Sequence, residues 1–412
     1  MTWPNGAFKA WDYGSYTDFN SHSLPVFNVT KKIIYICYLP LTEKLERNFY
    51  IKDLLDWNYS VEYWDLSSLF FKNVGFTNEH KRHYVVNIGT YQCLQKLIKK
   101  ESQSRAVYIP IITYGYQSFR LYRILTKNKC KIMFFERGRL PSTVNDFSYY
   151  KFCDKLSSLF NGKKVMSYFG HKIAIFMMKV KIVKRYDIVF AAGQIAEKIH
   201  QKTSLVIPVN YFDYDEYLRV KGDDRRLVKG RYCVFLDDNV VSDTDFLVRG
   251  QKTVAAQEYY NSMNRFFKYI EDQYNIKVVI AANPKAKYEN DIFEGREIYK
   301  FETCRLVQKC EFSIAHYSTS VSYPVLFKKP VIFIYTSEMK NMFYFKIIRT
   351  FARVLNQPLV NIDSSDTEEL VLREVDIDKY EKYKLGYITS LKSESKYSRD
   401  IFLKFIESYD NP

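Results

Sequence analysis

Three hydroxyl-bearing residues in a row, Ser318, Thr319 and Ser320, stand between a short apolar run and a segment of helical length. A strand is predicted at 312–315, and a second β-rich run follows at 330–335. The first amides of a helix lack intrahelical partners, and serine and threonine hydroxyls add further donors, so such a junction can bind a phosphate. The same residue types also cap ordinary helices. Both roles stay open on spacing alone.

Carboxylates and a histidine occupy comparable positions. Asp237 and Asp238 directly follow a predicted strand at 232–236, and adjacent carboxylates can hold sugar hydroxyls or a divalent metal. Successive residues of an extended segment point to opposite faces, so one of the two is expected to face a ligand. His316 immediately precedes the hydroxyl residues, at the strand end where α/β sheets bind ligands. A turn or packing role is the alternative for each of them.

Apolar runs of strand length alternate with segments of helical length from residue 31 onward. Buried strands separated by helices predict a parallel, doubly wound α/β sheet, and the alternation starts again after a polar connector. We therefore expect two Rossmann-like domains, residues 31–209 and 231–375, joined by a linker at 210–230. An N-terminal extension at 1–30 and a C-terminal helical segment at 376–412 complete the predicted organisation.

The composition fits this organisation. With 412 residues, 47% hydrophobic and 26% charged, the chain can bury two cores and is not a disordered polymer. No apolar run approaches the roughly 18–20 residues of a bilayer span, and the N-terminus lacks signal-peptide features, so a cytoplasmic protein is expected. The seven cysteines include no CxxC, which predicts neither disulfides nor a zinc site.

The net charge of +16 favours polyanionic partners, such as nucleotide phosphates, an anionic membrane surface or nucleic acid. The basic residues are dispersed in pairs, and no RRM, KH or helix-turn-helix pattern is evident, so we rank nucleic acid lowest. No GxGxxG follows a predicted strand, which argues against a dinucleotide-dependent dehydrogenase.

Two facing Rossmann-like domains are the arrangement of GT-B glycosyltransferases, and the segment 315–335, AHYSTSVSYPVLFKKPVIFIY, adds a local similarity. It resembles the C-terminal signature of bacterial GT-B enzymes that use cytidine-activated donors. These are the sialyltransferases, the capsule Kdo transferases and the CDP-glycerol glycerophosphotransferases. The resemblance implies that Ser318, Thr319 and Ser320 hold the donor phosphate. Asp237, which follows a strand in the same half, is our candidate for a carboxylate that contacts the donor. Lys329 and Pro330, before the strand 331–335, match the signature too.

Those families carry a His-Pro dipeptide after an earlier strand, where this chain has Asn283, Pro284 and Lys285. Asparagine can donate a hydrogen bond but cannot transfer a proton to a leaving group. The resemblance therefore leaves three options: Lys285 neutralises the leaving phosphate, His316 takes over the catalytic role, or the enzyme is weakened. A plain Asn-Pro turn is the structural alternative.

The acceptor side of a GT-B cleft belongs to the first domain, and an inverting transfer needs a base there. Glu136, directly after the strand predicted at 131–135, is the first candidate, and the neighbouring Arg137 and Arg139 could hold an anionic acceptor or the donor carboxylate. Glu43 is the second candidate, with helix capping as its alternative.

We thus predict an inverting GT-B glycosyltransferase that extends a surface glycan such as capsule, O-antigen or lipooligosaccharide. Its substrates would be a nucleotide-sugar, with a CMP-linked donor as one option, and a lipid-linked glycan acceptor. No cofactor is expected, and a divalent metal stays open. Basic faces at 164–184 and 340–353 would rest on the anionic inner face of the cell membrane. The alternatives are a CDP-glycerol-type polyol-phosphate transferase, a non-catalytic paralogue and, ranked lowest, a nucleic-acid-binding protein.

Overall fold

The computed structural model of the protein describes residues 32–71, 82–101, 106–141, 162–241, 253–286, 288, 291–342, 344–364 and 370–410. For residues 162–169 and 171 only the backbone is described. The predicted N-terminal extension, residues 1–30, lies outside these ranges.

The first half of the chain forms a seven-stranded sheet in which all neighbouring strands are parallel. In chain order its strands are β1 (Lys32–Cys37), β2 (Ser60–Asp65), β3 (Val85–Asn87), β4 (Val107–Pro110), β5 (Lys131–Glu136), β6 (Ile188–Ala192) and β7 (Leu205–Val209). The order across the sheet is β3-β2-β1-β4-β5-β6-β7, so the chain changes direction across the sheet between β1 and β4.

The second half repeats this plan with a parallel six-stranded sheet. Its strands are β8 (Tyr232–Leu236), β9 (Lys277–Ala282), β10 (Ile298–Lys300), β11 (Ser313–Ala315), β12 (Val331–Tyr335) and β13 (Leu359–Asn361). They are ordered β10-β9-β8-β11-β12-β13, which is the Rossmann order with its switch point between β8 and β11. The predicted pair of parallel, doubly wound sheets is confirmed.

Helices connect most of the strands. Those of the first half are α1 (Glu43–Asn48), α2 (Ile51–Asp56), α3 (Ser67–Phe70), α4 (Tyr91–Glu101), α5 (Phe119–Lys127), α6 (Gly162–Lys179) and α7 (Gly193–His200). The remainder are α8 (Tyr214–Val220), α9 (Ala256–Tyr274), α10 (Thr303–Lys309), α11 (Ser322–Phe327), α12 (Phe345–Leu355), α13 (Ile377–Tyr383) and α14 (Ser398–Asp410). Among the described residues, no helix combines the length and apolarity that a membrane crossing requires.

The apolar runs of the strands have a packing reason. Tyr35 of β1 belongs to a core cluster that includes Phe402 of α14, whereas its neighbours Ile34 and Ile36 pack with residues of α4 and α5. Because both faces of the sheet are covered, the five residues 33–37 of β1 are all apolar. This is why the strands were recognisable in the sequence.

Some elements differ from the prediction. The helical segment that contains Glu43 is divided into α1 and α2 at Tyr50, whose φ of +58° ends regular helical geometry. The linker predicted at 210–230 contains α8. The short strands β3, β10 and β13 have no predicted counterpart.

The last helix of the chain returns to the first sheet. The Phe402 ring of α14 lies 5.2 Å from Phe135 and 5.1 Å from Phe190, both on strands of that sheet. The chain therefore passes between the two halves twice, once through the connector after β7 and once through the segment before α14.

Asn210, at the start of the connector, is fully buried where these two passages meet. Its side-chain amide donates to the carbonyl oxygens of Ser393 (3.1 Å) and Lys396 (2.7 Å), and its Oδ1 accepts from Thr389 Oγ1 (2.7 Å). Its backbone amide donates to Ser398 Oγ at 3.0 Å. One side chain thus fixes the outgoing chain against the returning chain.

Replacing Asn210 with Asp should destabilise the fold strongly, because a carboxylate oxygen would then face two backbone carbonyls that have lost their donors. We expect a loss of about 3 kcal/mol or more in the free energy of unfolding, measured by urea denaturation. The matched control is Asn261→Asp on the exposed face of α9, which should stay within about 0.5 kcal/mol of the wild type. Equal losses in the two variants would contradict this role of Asn210.

Candidate active site

The parallel strands of the second sheet bring the predicted donor residues to one edge. Asp237 follows β8, Asn283 follows β9, and His316 and the hydroxyl residues follow β11, which are three adjacent strands. All three carboxyl ends meet where the chain changes direction across the sheet, the position at which open α/β sheets bind ligands.

The two adjacent carboxylates serve different loops. Asp238 Oδ2 accepts from the Tyr317 amide at 3.0 Å, which ties the loop after β8 to the loop after β11. Asp237 accepts from the Tyr288 hydroxyl at 2.5 Å and from the Asn239 amide at 2.9 Å. Asp237 is only 8% exposed, and burial raises its pKa despite the hydrogen bonds that oppose this. Asp237 therefore supports the loops, and Asp238 lies nearer to solvent.

Asn283 closes a turn. Its Oδ1 accepts from the Lys285 amide at 3.0 Å, and its carbonyl accepts from the Ala286 amide at 2.9 Å. This is the Asx-type geometry that the structural alternative predicted. The turn leaves the Lys285 side chain exposed at the carboxyl edge, so Lys285 is better placed than Asn283 to meet an anion.

His316 has no exposed surface, and both of its ring nitrogens are engaged inside the protein. Nδ1 lies 2.7 Å from the Ile334 carbonyl oxygen and Nε2 lies 2.9 Å from the Tyr259 hydroxyl. A carbonyl only accepts, so Nδ1 carries the proton and Nε2 accepts from the tyrosine. Burial lowers the pKa of His316 to about 4, against the opposing effect of the Ile334 carbonyl.

A ring that is neutral, buried and hydrogen-bonded at both nitrogens cannot reach a substrate unless the packing of the core around it is disrupted. The geometry favours a structural role for His316 over the predicted catalytic one, because its ring joins β11, β12 and α9. The sequence placed the residue at the correct strand end but could not show which way its ring points.

The three hydroxyl residues differ in exposure and in their contacts. Ser318 is 7% exposed, and its Oγ accepts from the Ser320 amide at 3.3 Å, which is a capping contact. Thr319 is exposed, and Ser320 is half-buried. Thr319 begins a short 3-10 turn, Thr319–Val321, that precedes α11. The hydroxyls therefore lie in a turn above the helix, and Pro324 falls in the first helical turn, where no intrahelical amide donor is required.

The connector between the halves lies directly against this turn. Asp213 Oδ2 accepts from Ser322 Oγ at 2.6 Å, and the Tyr211 hydroxyl contacts the Thr319 side chain. Burial raises the pKa of Asp213, although Ser322 and the charge of Lys44 from the first half oppose the rise. The hydroxyl segment thus lies beside the junction of the two halves, with Ser318 buried, Thr319 exposed and Ser320 half-buried.

Glu136, at the end of β5, is held by two basic neighbours. Its Oε1 lies 3.0 Å from Arg139 Nη2, and its Oε2 lies 3.5 Å from His200 Nε2. Burial opposes ionisation of Glu136, but His200 and Arg139 outweigh it and lower the pKa below its ordinary 4.5. Glu136 is therefore a carboxylate at neutral pH, and Arg139 is its ion-pair partner.

Arg137 takes a different position from its neighbour Arg139. It is 5% exposed, and it donates through Nε to the Asn210 carbonyl (2.7 Å) and through Nη1 to the Asn48 carbonyl (3.1 Å) and the Tyr50 hydroxyl (2.7 Å). These contacts hold the connector to the first half. They favour a structural role for Arg137 over the predicted acceptor contact.

Several residues of the site were missed in the sequence. Tyr211 and Asp213 follow the carboxyl end of β7, the same positional signal that identified Asp237, but they lie in the segment predicted as a linker. His200 ends α7, a helix without a predicted counterpart, so nothing in the sequence paired it with Glu136. Glu43 lies in the first turn of α1 behind the N-cap Thr42, as its capping alternative predicted. Within the described residues, no group of three or more His, Cys, Asp and Glu side chains could hold a metal ion.

No protein-family model matches the chain, and no curated protein matches it. Among solved structures it is similar to CalG4, the calicheamicin glycosyltransferase, at 7% identity over 92% of this chain and 98% of that chain, with a TM-score of 0.51. It is also similar to the wall teichoic acid polymerase TagF, at 12% identity over 92% of this chain and 90% of that chain, with a TM-score of 0.49. A third similar structure is the UDP-GlcNAc 2-epimerase of Methanocaldococcus jannaschii, at 14% identity over 92% of this chain and 99% of that chain, with a TM-score of 0.44. Such identities show the fold alone. The CalG4 similarity and the two parallel sheets confirm a two-domain, Rossmann-like GT-B fold.

The position of His316 predicts an unusual titration. The ring should stay neutral from pH 8 to about pH 5, because its pKa is about 4, whereas an exposed histidine titrates near 6.5. Unfolding frees the ring to take up a proton, so this residue's contribution to stability is complete above about pH 6.5 and is lost as the pH falls towards 4. NMR of the six histidines, with His316→Gln to assign the signal, measures this. A midpoint near 6.5 for His316 would contradict the buried geometry.

Proposed function

We propose that the protein is a glycosyltransferase that moves a sugar from a nucleotide-activated donor to a glycan acceptor. The observation that carries this proposal is the placement of the exposed Thr319 at the switch point of the second sheet, beside the connector between the halves. The fold agrees with it, since CalG4 is by its name a glycosyltransferase. Fold likeness alone does not assign chemistry, so the proposal depends on the site.

On the donor side, Thr319 and Ser320 supply hydroxyls for the phosphate, and Lys285 supplies positive charge at the same edge of the sheet. Hydrogen bonds to a charged phosphate are stronger than those between neutral groups. Asp237, Asp238 and Asn283 shape the loops that present these groups, because their described contacts are made within the site. In this assignment Lys285 stabilises the leaving phosphate, the role that histidine has in a His-Pro enzyme, although Asn283 occupies the position of that histidine.

On the acceptor side, we assign Glu136 as the base, with His200 and Arg139 holding its carboxylate. A carboxylate with a lowered pKa is a weak base, so its efficiency depends on placing the acceptor hydroxyl within hydrogen-bonding distance. Proton removal by Glu136 and neutralisation of the leaving phosphate by Lys285 would together give an inverting displacement.

The identity of the substrates rests on the local resemblance of segment 315–335. It favours a cytidine-activated donor, a sialyltransferase-like or Kdo-transferase-like reaction, and a lipid-linked glycan of capsule, O-antigen or lipooligosaccharide type. The runner-up is a polyol-phosphate transferase of the CDP-glycerol type, which would use the same phosphate site. Analysis of the product linkage, glycosidic or phosphodiester, separates the two.

Nucleotide binding is the first test. A nucleotide at 100 times its Kd should raise the melting temperature by roughly 3 °C, and CMP, CDP and UDP should be compared. Thr319→Ala should weaken binding about tenfold or more, because it removes a hydrogen bond to a charged phosphate. The matched control is Ser408→Ala on the exposed face of α14, which should bind as the wild type does. A response to no nucleotide, or an equal response of both variants, would overturn the site.

The pH dependence of hydrolysis of the stabilising nucleotide-sugar tests Glu136. Because Glu136 must be ionised to act as the base and its pKa is lowered, kcat/KM should stay level from about pH 8 down to pH 5. Glu136→Gln should reduce kcat by at least about 100-fold, while Glu407→Gln on the surface of α14 should not change it. Loss of activity below about pH 6.5 would instead identify an imidazole base and shift the role away from Glu136.

A further inference from the structure

The outward face of α6 carries large apolar side chains in its C-terminal half. Ile173 and Phe176 are 54% and 58% exposed, and Val180 and Ile182 in the turn that follows the helix are 46% and 45% exposed. Residues at spacings of three and four share one face of a helix, and in a globular protein such a stripe normally faces the core. Here it faces solvent.

The packing of α6 explains why this face cannot turn inward. The helix meets the protein through small residues: the Ala174 carbonyl accepts from the Tyr114 hydroxyl at 2.6 Å, and Gly170 lies against the Tyr116 ring. A Cβ added at Gly170 would come within 2.5 Å of that ring. The side with small residues is therefore fixed against the fold, and the large apolar residues must point away from it.

A basic groove adjoins this stripe at the amino ends of β5, β6 and β7. It has a volume of about 480 Å³ and is lined by Lys131, Lys184, Arg185 and Lys202, with Asp187 as the carboxylate among its described lining residues. Asp187 lies 2.5 Å from Lys184 Nζ and 3.9 Å from Lys131 Nζ, so its charge is already balanced. Arg185 and Lys202 then give the groove a net positive charge.

The stripe and the groove form one surface. Met178 and Lys179 of α6 line a second cavity together with Lys184, Arg185 and Thr203, residues that also line the basic groove. Apolar side chains flanked by lysines and arginines match the two layers of an anionic bilayer, the acyl boundary and the phosphate headgroups.

We propose that this surface, Ile173–Ile182 together with the groove at Lys131, Lys184, Arg185 and Lys202, docks the protein on an anionic lipid bilayer. The inference extends the proposed function by assigning its membrane contact to one surface. Of the two basic faces that the sequence suggested for membrane contact, the proposal assigns this contact to the region around α6 and not to α12. Nucleic acid fits less well, because a polyanion in water would leave Phe176 and Val180 uncovered.

The location keeps this inference separable from the proposed reaction. The groove lies at the amino ends of the strands, whereas Glu136 lies at the carboxyl end of β5 and Thr319 on the other sheet. Substitutions in the docking surface should therefore leave nucleotide stabilisation unchanged. Failure of vesicle binding alone would leave the proposed function standing, and failure of nucleotide binding alone would leave the docking surface standing.

The experiment is co-sedimentation of the full chain with vesicles of phosphatidylcholine, alone or mixed equally with phosphatidylglycerol. The wild type should bind the mixed vesicles more tightly, and salt should weaken this binding. Phe176→Asp with Val180→Asp, and separately Lys181→Glu with Arg185→Glu, should each weaken binding at least about tenfold. All four positions are exposed, so melting curves should match the wild type.

Two control variants match these changes elsewhere on the molecule. Lys346→Glu with Arg349→Glu on the exposed face of α12 makes the same charge change, and Val371→Asp, at a 74% exposed residue, makes the same apolar-to-acidic change. Both should bind vesicles as the wild type does. The proposal is overturned if the α6 variants bind normally, if the controls lose as much, if neutral and mixed vesicles bind equally, or if the α6 variants lose retention on RNA but not on vesicles.

Discussion

A buried side-chain amide, that of Asn210, joins the two passages of the chain between the halves of this protein. Asn210 offers two donors and one side-chain acceptor in a place without solvent, and each meets a partner from the returning C-terminal segment. Its carbonyl accepts from Arg137, so the loop after β5 is held at the same point. An unpaired polar group would be costly there, and this cost makes the crossing of the two chain passages specific.

The crossing also positions the candidate site. The connector that begins at Asn210 continues through Tyr211 to Asp213, which contact Thr319 and Ser322 at the turn before α11. On the other side of Asn210, Arg137 is followed two residues later by Arg139, the partner of Glu136. The proposed donor and acceptor groups are thus both connected, through short segments of chain, to the buried hydrogen bonds around Asn210.

At the carboxyl edge of the second sheet, polar residues with internal contacts support the loops, and exposed residues lie between them. Asp237, Asn283 and His316 all make internal contacts that fix loops or strands. Thr319 and Lys285 remain exposed between them. Such a division is what a preorganised anion site requires, because the groups that meet the ligand are held by others that do not.

The sequence by itself determined the two parallel sheets, since strands covered on both faces must be apolar throughout, and it located the polar residues at their carboxyl ends. Tertiary structure alone decided the role of each. The His316 ring is held in the core because it hydrogen-bonds with Tyr259 and Ile334, and Arg137 is held inside the protein because its Nε donates a hydrogen bond to the carbonyl of Asn210, 73 positions away. The sequence could not show these pairings, nor the outward direction of Phe176, because each depends on contacts between residues far apart in the chain, which no local pattern records.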